Sequence, residues 1–296
     1  MSDDLIIILT AGLVATACGL LGPFLVVRRQ ALMGDAVSHA VLPGIVAVFV
    51  LFGTRAPLPV ILGAAAFAIV CVLLVDALRR SGLVRGDAAI ALVFPALFAL
   101  GVLGIDRYAS SVHLDLDATI YGEIAFAPFR VWELGDMRLA RSVVLLGVIA
   151  VVNLLLIAVF WKELRVTSFD PMFATTAGVS PAIIARGLLI AVAITAVTAF
   201  ESVGAILVVT MLIVPAAAAW LLVDRMGPMI AVSLVIGWVS AVAGHLIAIR
   251  LDASIAGAMG LVATGCFCVA LVFAPRHGLI ARALLRGANR RAAATT

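Results

Sequence analysis

Charge is what this chain has least of. Asp, Glu, Lys and Arg make up 12% of its 296 residues, against about 25% in soluble domains. Apolar residues reach 65%, where about 45–50% is ordinary. That composition excludes a soluble enzyme and fits an integral membrane protein. No polar interval is long enough for a soluble domain; the longest, Asp106–Arg141, is loop-sized. Residues 1–296 therefore read as one transmembrane domain. The phosphate-cradling pattern Gly-x-x-x-x-Gly-Lys-Ser/Thr is missing, so any ATP hydrolysis must come from another chain, and this one is not by itself an enzyme. His-Glu-x-x-His is missing as well, which argues against an intramembrane metalloprotease. The four cysteines, Cys18, Cys71, Cys266 and Cys268, all lie in apolar runs. Cys266 and Cys268, two apart, point to different sides of a helix and make a poor chelate. All four read as packing residues.

What is present is a series of nine apolar runs, each long enough for a bilayer that needs roughly 17–25 residues. They are Leu5–Val27, Ala31–Phe52, Leu58–Leu78, Ala88–Ile105, Ser142–Phe160, Ile183–Phe200, Val203–Val223, Met229–Ile249 and Ser254–Phe273. The expected fold class is all-α and polytopic. The sixth and seventh runs are separated only by Glu201-Ser202, so they form two tightly turned spans or one broken element, giving eight or nine spans. The acidic Met1-Ser2-Asp3-Asp4 lacks the basic region of a cleaved signal peptide, so the first run is expected to be retained. Placing the N-terminus outside puts fourteen of the 20 basic residues in the cytoplasm, among them Arg28, Arg29, Lys162, Arg165 and Arg186. That asymmetry sets the orientation and leaves the C-terminus inside. The net charge of +4 is thus a matter of membrane orientation and gives no reason to invoke nucleic acid.

One stretch breaks the apolar rule: Gly34-Asp35-Ala36-Val37-Ser38-His39-Ala40-Val41-Leu42-Pro43-Gly44. Asp35 and His39 stand four apart, so on a helix they share a face and can approach one small cation. An ionisable residue at membrane depth costs about 2.5–3.5 kcal/mol on insertion scales and persists where it serves a pathway or a partner. The same pair could instead lock two helices together. Ser38 adds a hydroxyl, and Pro43-Gly44 can interrupt the helix and release carbonyls. Counted inward from Arg29 at about 1.5 Å per residue, His39 falls roughly 15 Å into the membrane. Glu201 could supply a third ligand if the chain breaks beside a cavity, or could cap a span. Asp, Glu and His together suit Zn²⁺ or Mn²⁺, with no thiolate at that depth to favour Cu⁺. Asn153 reads as interhelical glue or a pathway group, His245 as structural, and Pro215 as a kink or break.

Two connecting segments carry further signals. The loop Asp106–Arg141 holds His113, Asp115, Asp117, Glu123, Glu133 and Asp136. It reads mainly as a solvated face, and also as a place for a delivery protein to dock. Between spans five and six, residues 161–180 predict a short cytoplasmic helix with Ser168 as N-cap, Asp170 in the first turn and Gly178 as the stop. Phe169, Met172 and Phe173 would then be exposed on a helix between spans, where they need lipid headgroups or a protein partner.

Taken together, these residues resemble the permease subunits of bacterial ABC importers for zinc, manganese and ferrous iron. The likeness is carried by Val26-Val27-Arg28-Arg29 running into Ala31-Leu32-Met33-Gly34-Asp35 and on to Gly44. Ser168-Phe169-Asp170-Pro171 with Ala174 and Gly178, and Val203–Val208 leading to Ile213–Ala217, support it. It covers nearly the whole chain from Thr10 to Phe273; a departure is Leu251–Gly257, where the family usually has Pro and Gly close after the Asp. The resemblance implies a homodimer in the bacterial cytoplasmic membrane, a pair of cytoplasmic ATPases and an extracytoplasmic metal-binding protein. It implies a metal ion as cargo, with no permanently bound cofactor, and points to the helix after Ser168 as the coupling helix. Two alternatives stay open at this point. One is a secondary metal–proton transporter. The other is an ABC permease for a metal chelate such as a siderophore, which would need a wide cavity.

Overall fold

Hydrophobic runs of this length fold as helices because lipid offers the backbone no hydrogen-bond partners. The computed structural model describes residues 3–53, 57–84, 86–108, 124–129, 131–134, 137–275 and 278–280. In order they form α1 (Asp3–Val27), α2 (Leu32–Phe52), α3 (Pro57–Arg80) and α4 (Gly86–Tyr108). A 3-10 turn (Ile124–Phe129) and a hairpin of β1 (Val131–Leu134) and β2 (Met137–Ala140) follow. Then come α5 (Arg141–Val159), α6 (Trp161–Phe169), α7 (Pro171–Thr176), α8 (Pro181–Val203), α9 (Ala205–Leu222), α10 (Met226–Leu251) and α11 (Ile255–Phe273). Among the described residues nine helices are long and apolar enough to cross a membrane.

The sixth and seventh runs are therefore two helices. The break between them falls at Gly204, not at Glu201-Ser202, because the chain passes through φ 84° there and only glycine accepts that conformation freely. Pro215 and Pro43 do not end their helices; each sits inside a continuous one. The antiparallel hairpin, with Val131 opposite Ala140 and Leu134 opposite Met137, interrupts the loop expected between spans four and five. His113, Asp115, Asp117, Glu123 and Asp136 lie outside the described residues.

The first helix is the axis of the bundle. Ala11, Val14, Ala15, Cys18 and Leu21 are fully buried, and α1 packs against α5, α8, α9 and α10. Lipid tails supply no hydrophobic drive between helices, so close approach and polar contacts hold them. At Gly22 a Cβ would overlap the Leu212 carbonyl of α9. Deep in the bundle, Asn153 donates its amide to the Ala17 carbonyl at 3.1 Å and to Thr195 Oγ1 at 2.9 Å. One side chain thus ties α5 to α1 and α8, which is the glue role. His245, buried on α10, lies 3.1 Å from Asp4 Oδ1 and joins that helix to the start of α1.

A second group forms around α2, which packs on α3 and α4 and more lightly on α8. Gly44 and Gly63 face each other so closely that a Cβ on Gly44 would strike the Gly63 carbonyl. On the other side, Gly101 of α4 abuts Leu42 and Pro43. These contacts fix the rotation of α2 about its axis, and with it the face that carries Asp35 and His39.

Candidate functional site

Asp35 falls in the first turn of α2 and His39 one turn further on. The residues between α1 and α2 are a tight turn, not helix, so His39 lies only about 10 Å along α2 at 1.5 Å per residue. That is shallower than counting every residue from Arg29 as helix suggests. His39 Nε2 stands 3.8 Å from Asp35 Oδ1, too long for a good hydrogen bond but close enough for both to reach one ion. Their side chains are 43% and 51% exposed on the single chain. Pro43, four residues after His39, has no amide proton to donate, so the His39 carbonyl loses its ordinary helical partner.

Two aromatic rings of α4 hold that imidazole. Phe94 stacks on it with centroids 5.3 Å apart, and Phe98 meets it edge-on at 5.6 Å. Phe94 and Phe98 are themselves four apart, so one face of α4 presents both rings. Sequence reasoning missed them, because apolar aromatics at helical spacing in a span read as packing. The signal available was the i, i+4 match to the Asp35–His39 spacing on a neighbouring run.

Glu201 is not brought to this pair. It sits near the C-terminal end of α8 and forms an ion pair with Arg141, the first residue of α5, at 3.0 Å. Both α5 and α8 run about 28–35 Å at 1.5 Å per residue. The α6–α7 segment follows the end of α5 and precedes the start of α8, so Glu201 is at the far end of the bundle from it. Asp35 is near that segment, because Arg28, just before α2, hydrogen-bonds Ser168. Among the described residues no group of three or more His, Cys, Asp or Glu side chains could hold a metal ion. The expected third ligand is thus the partner of an arginine. Arg141 and Glu201 instead border a small cleft, lined also by Phe126, Ala127, Ser142, Leu145 and Ser202, with room of about 20 Å³. That suits one water.

The segment expected to couple to a partner folds as two short helices instead of one. Ser168 is inside the last turn of α6, donating to the Leu164 carbonyl at 2.6 Å. Asp170 is the N-cap of α7, its carboxylate accepting from the Phe173 amide at 2.9 Å. Ser168 loses the cap role because Pro171 must occupy the first turn of a helix, which puts the cap one residue before it. Gly178, with φ 82°, stops α7 as expected. Phe169, Met172 and Phe173 are 57%, 83% and 60% exposed, so their apolar surface is presented outward.

Arg28 anchors this segment. Burial pushes its guanidinium down to about 10, still charged at neutral pH. In the sequence Arg28 stands out only as one of the cytoplasmic charges and as part of the stretch that carries the family resemblance; its role in holding α6 is a finding of the structure.

The comparisons agree with this architecture. The family model described as ABC 3 transport family matches residues 5–274. The chain is 43% identical over 279 residues to the zinc transport system membrane protein TroD of Treponema pallidum, covering 94% of this chain and 76% of that one. It is 41% identical to the manganese transport system membrane protein MntD of Bacillus subtilis, covering 96% of each. Its fold superimposes on PsaBC from Streptococcus pneumoniae, solved in complex with Fab, with a TM-score of 0.76, 30% identity and 94% of each chain covered. With nine membrane-length helices among the described residues, an acid–imidazole pair on the second and an outward apolar segment after the fifth, the chain belongs to the ABC 3 transport family.

Proposed function

We propose that this chain is the membrane permease of an ABC importer that moves a divalent first-row metal ion, Zn²⁺ or Mn²⁺ with Fe²⁺ as a further candidate, into the cytoplasm. The observation that carries the reading is the Asp35–His39 pair, 3.8 Å apart and about half exposed on the single chain. One carboxylate and one imidazole are borderline-hard ligands suited to these ions. A pair left open in this way can take an ion briefly and let it go, where a closed four-ligand site would retain it. The zinc and manganese names of the 43% and 41% identical relatives support the same cargo.

A carboxylate facing lipid is expensive, so the open side of α2 calls for cover. A second copy of the chain supplies it in a homodimer, bringing a second Asp35 and His39 towards the first. Separate cytoplasmic ATPases drive the cycle, with Ser168, Phe169, Asp170, Met172 and Phe173 as the docking and coupling surface. An extracytoplasmic metal-binding protein delivers the ion to the side of the 106–141 loop. The N-terminus is outside and the C-terminus in the cytoplasm of a bacterial inner membrane.

Vesicles holding the permease, its ATPase and its binding protein test this reading. ATP-dependent uptake of zinc or manganese, each competing with the other, is the expected result. Uptake driven by a proton gradient without ATP would refute it.

A further inference from the structure

Arg28 is the residue through which α1, the α1–α2 turn and α6 meet. Its Nε donates to Ser168 Oγ at 2.9 Å, and its Nη2 donates to Thr167 Oγ1 at 2.6 Å and towards the Leu164 carbonyl at 3.5 Å. Thr167 and Ser168 sit in the last turn of α6, where a cation also meets the negative end of the helix dipole. Among the described residues its partners are hydroxyl and carbonyl oxygens and not a carboxylate, so the contact is directional: a planar fork meeting fixed acceptors. Thr167 and Ser168 are themselves held, donating to Glu163 and Leu164 carbonyls at 2.6 Å. A second contact runs alongside, with Phe24 of α1 edge-on to Trp161 of α6 at 6.5 Å.

The other side of Arg28 has no slack. Its amide donates to the Phe24 carbonyl at 3.1 Å, that of Arg29 to Val26 at 3.0 Å and that of Gln30 to Leu25 at 2.8 Å. Arg29 takes φ 56°, which closes the turn, and the Met33 amide then donates to the Gln30 carbonyl at 3.0 Å. The Gly34 amide likewise donates to the Ala31 carbonyl at 3.2 Å, so a short turn leads from Gln30 directly into the first turn of α2. The guanidinium thus joins α6 to the short turn that leads into the helix bearing the acid–imidazole pair.

We propose that Arg28 is a positioning residue that delivers movement of the α6–α7 segment to Asp35 and His39. The proposal rests on the reading of that segment as the ATPase coupling surface and of the pair as the transit site. No contact of Arg28 with the ion or with the ATPase is required.

The test uses the complete complex in vesicles and reads metal ions imported per ATP hydrolysed, with zinc as the probe. Arg28→Gln is expected to lower that ratio several-fold while zinc binding to the complex persists. Arg28→Lys restores part of the loss, since an ammonium can serve one of the oxygens but cannot fork between them. The pair Thr167→Val with Ser168→Ala leaves the charge in place and removes its hydroxyl acceptors; it should also uncouple, and it decides the matter if Arg28→Gln fails to assemble. A wild-type ratio in assembled Arg28→Gln, or in the Thr167–Ser168 pair where Arg28→Gln does not assemble, overturns the proposal. Phe169→Asp with Met172→Asp separates the two layers of inference. If that variant transports normally with its ATPase bound, the coupling surface itself is wrong. If it uncouples and the Arg28 variants do not, only the link through Arg28 is wrong.

Discussion

Neutralising Glu201 separates two roles for that residue, ligand and structural ion pair. Glu201 Oε1 and Arg141 Nη2 are 3.0 Å apart, with side chains 27% and 18% exposed. Two unit charges at that distance attract by about 5–6 kcal/mol at an effective dielectric constant of about 20. Desolvation offsets much of this, and solvent reaches part of each group, so the net coupling should be about 1–3 kcal/mol. Glu201→Gln alone leaves the largely buried Arg141 charge without this carboxylate, and Arg141→Met does the converse to Glu201. Each single change should destabilise the solubilised permease, and the double variant by about 1–3 kcal/mol less than the sum of the two. Denaturant or thermal unfolding of the four proteins gives the coupling energy. Additivity within about 0.5 kcal/mol would refute the pair. Uptake by the double variant, measured per assembled complex, should continue; a folded double variant that has lost zinc binding would return Glu201 to the ligand set.

Three other predictions follow from the packing and the orientation. Gly44→Val places atoms where the Gly63 carbonyl sits, and should lower permease stability by about 1–3 kcal/mol as α2 is pushed off α3; unchanged unfolding would contradict the close crossing. Phe98→Leu removes an edge-on ring contact worth about 0.5–1.5 kcal/mol, so zinc should bind the complex about 2–10-fold more weakly, and equal affinity would show that the rings do not orient His39. Ser2→Cys should react with an impermeant thiol reagent on intact cells and Thr296→Cys only after permeabilisation, the reverse pattern contradicting the orientation.

The spans were legible because nothing but transmembrane helices explains nine apolar runs separated by charged turns. Asp35 and His39 were legible for a related reason: an acid and an imidazole four apart stand out against an apolar background, and helix geometry alone puts them together. Glu201 shows where such reasoning stops. Its partner Arg141 is on another helix, and pairing across the bundle depends on how α5 and α8 meet, which local pattern does not encode. Phe94 and Phe98 were hidden by their chemistry, since apolar rings in a span carry no mark of the imidazole between them. The chain break was placed at the polar Glu201-Ser202, whereas backbone freedom rather than polarity decided it, at Gly204. The cap of α7 turned on Pro171, whose preference for the first helical turn overrode the hydroxyl of Ser168. Arg28 looked like a cytoplasmic charge among several, and only its three contacts across α6 distinguish it from Arg29.

The central claim is that Asp35 and His39 hold the ion in transit. The direct measurement is zinc uptake per assembled complex in vesicles for Asp35→Asn, His39→Leu and the double variant. Asp35→Asn keeps the size and removes the charge that attracts a dication where the dielectric is low; His39→Leu removes the nitrogen ligand and remains compatible with lipid. Uptake should fall to background in each single variant at normal expression and assembly, with the double variant no worse than either. Near-wild-type turnover in both single variants would contradict the account.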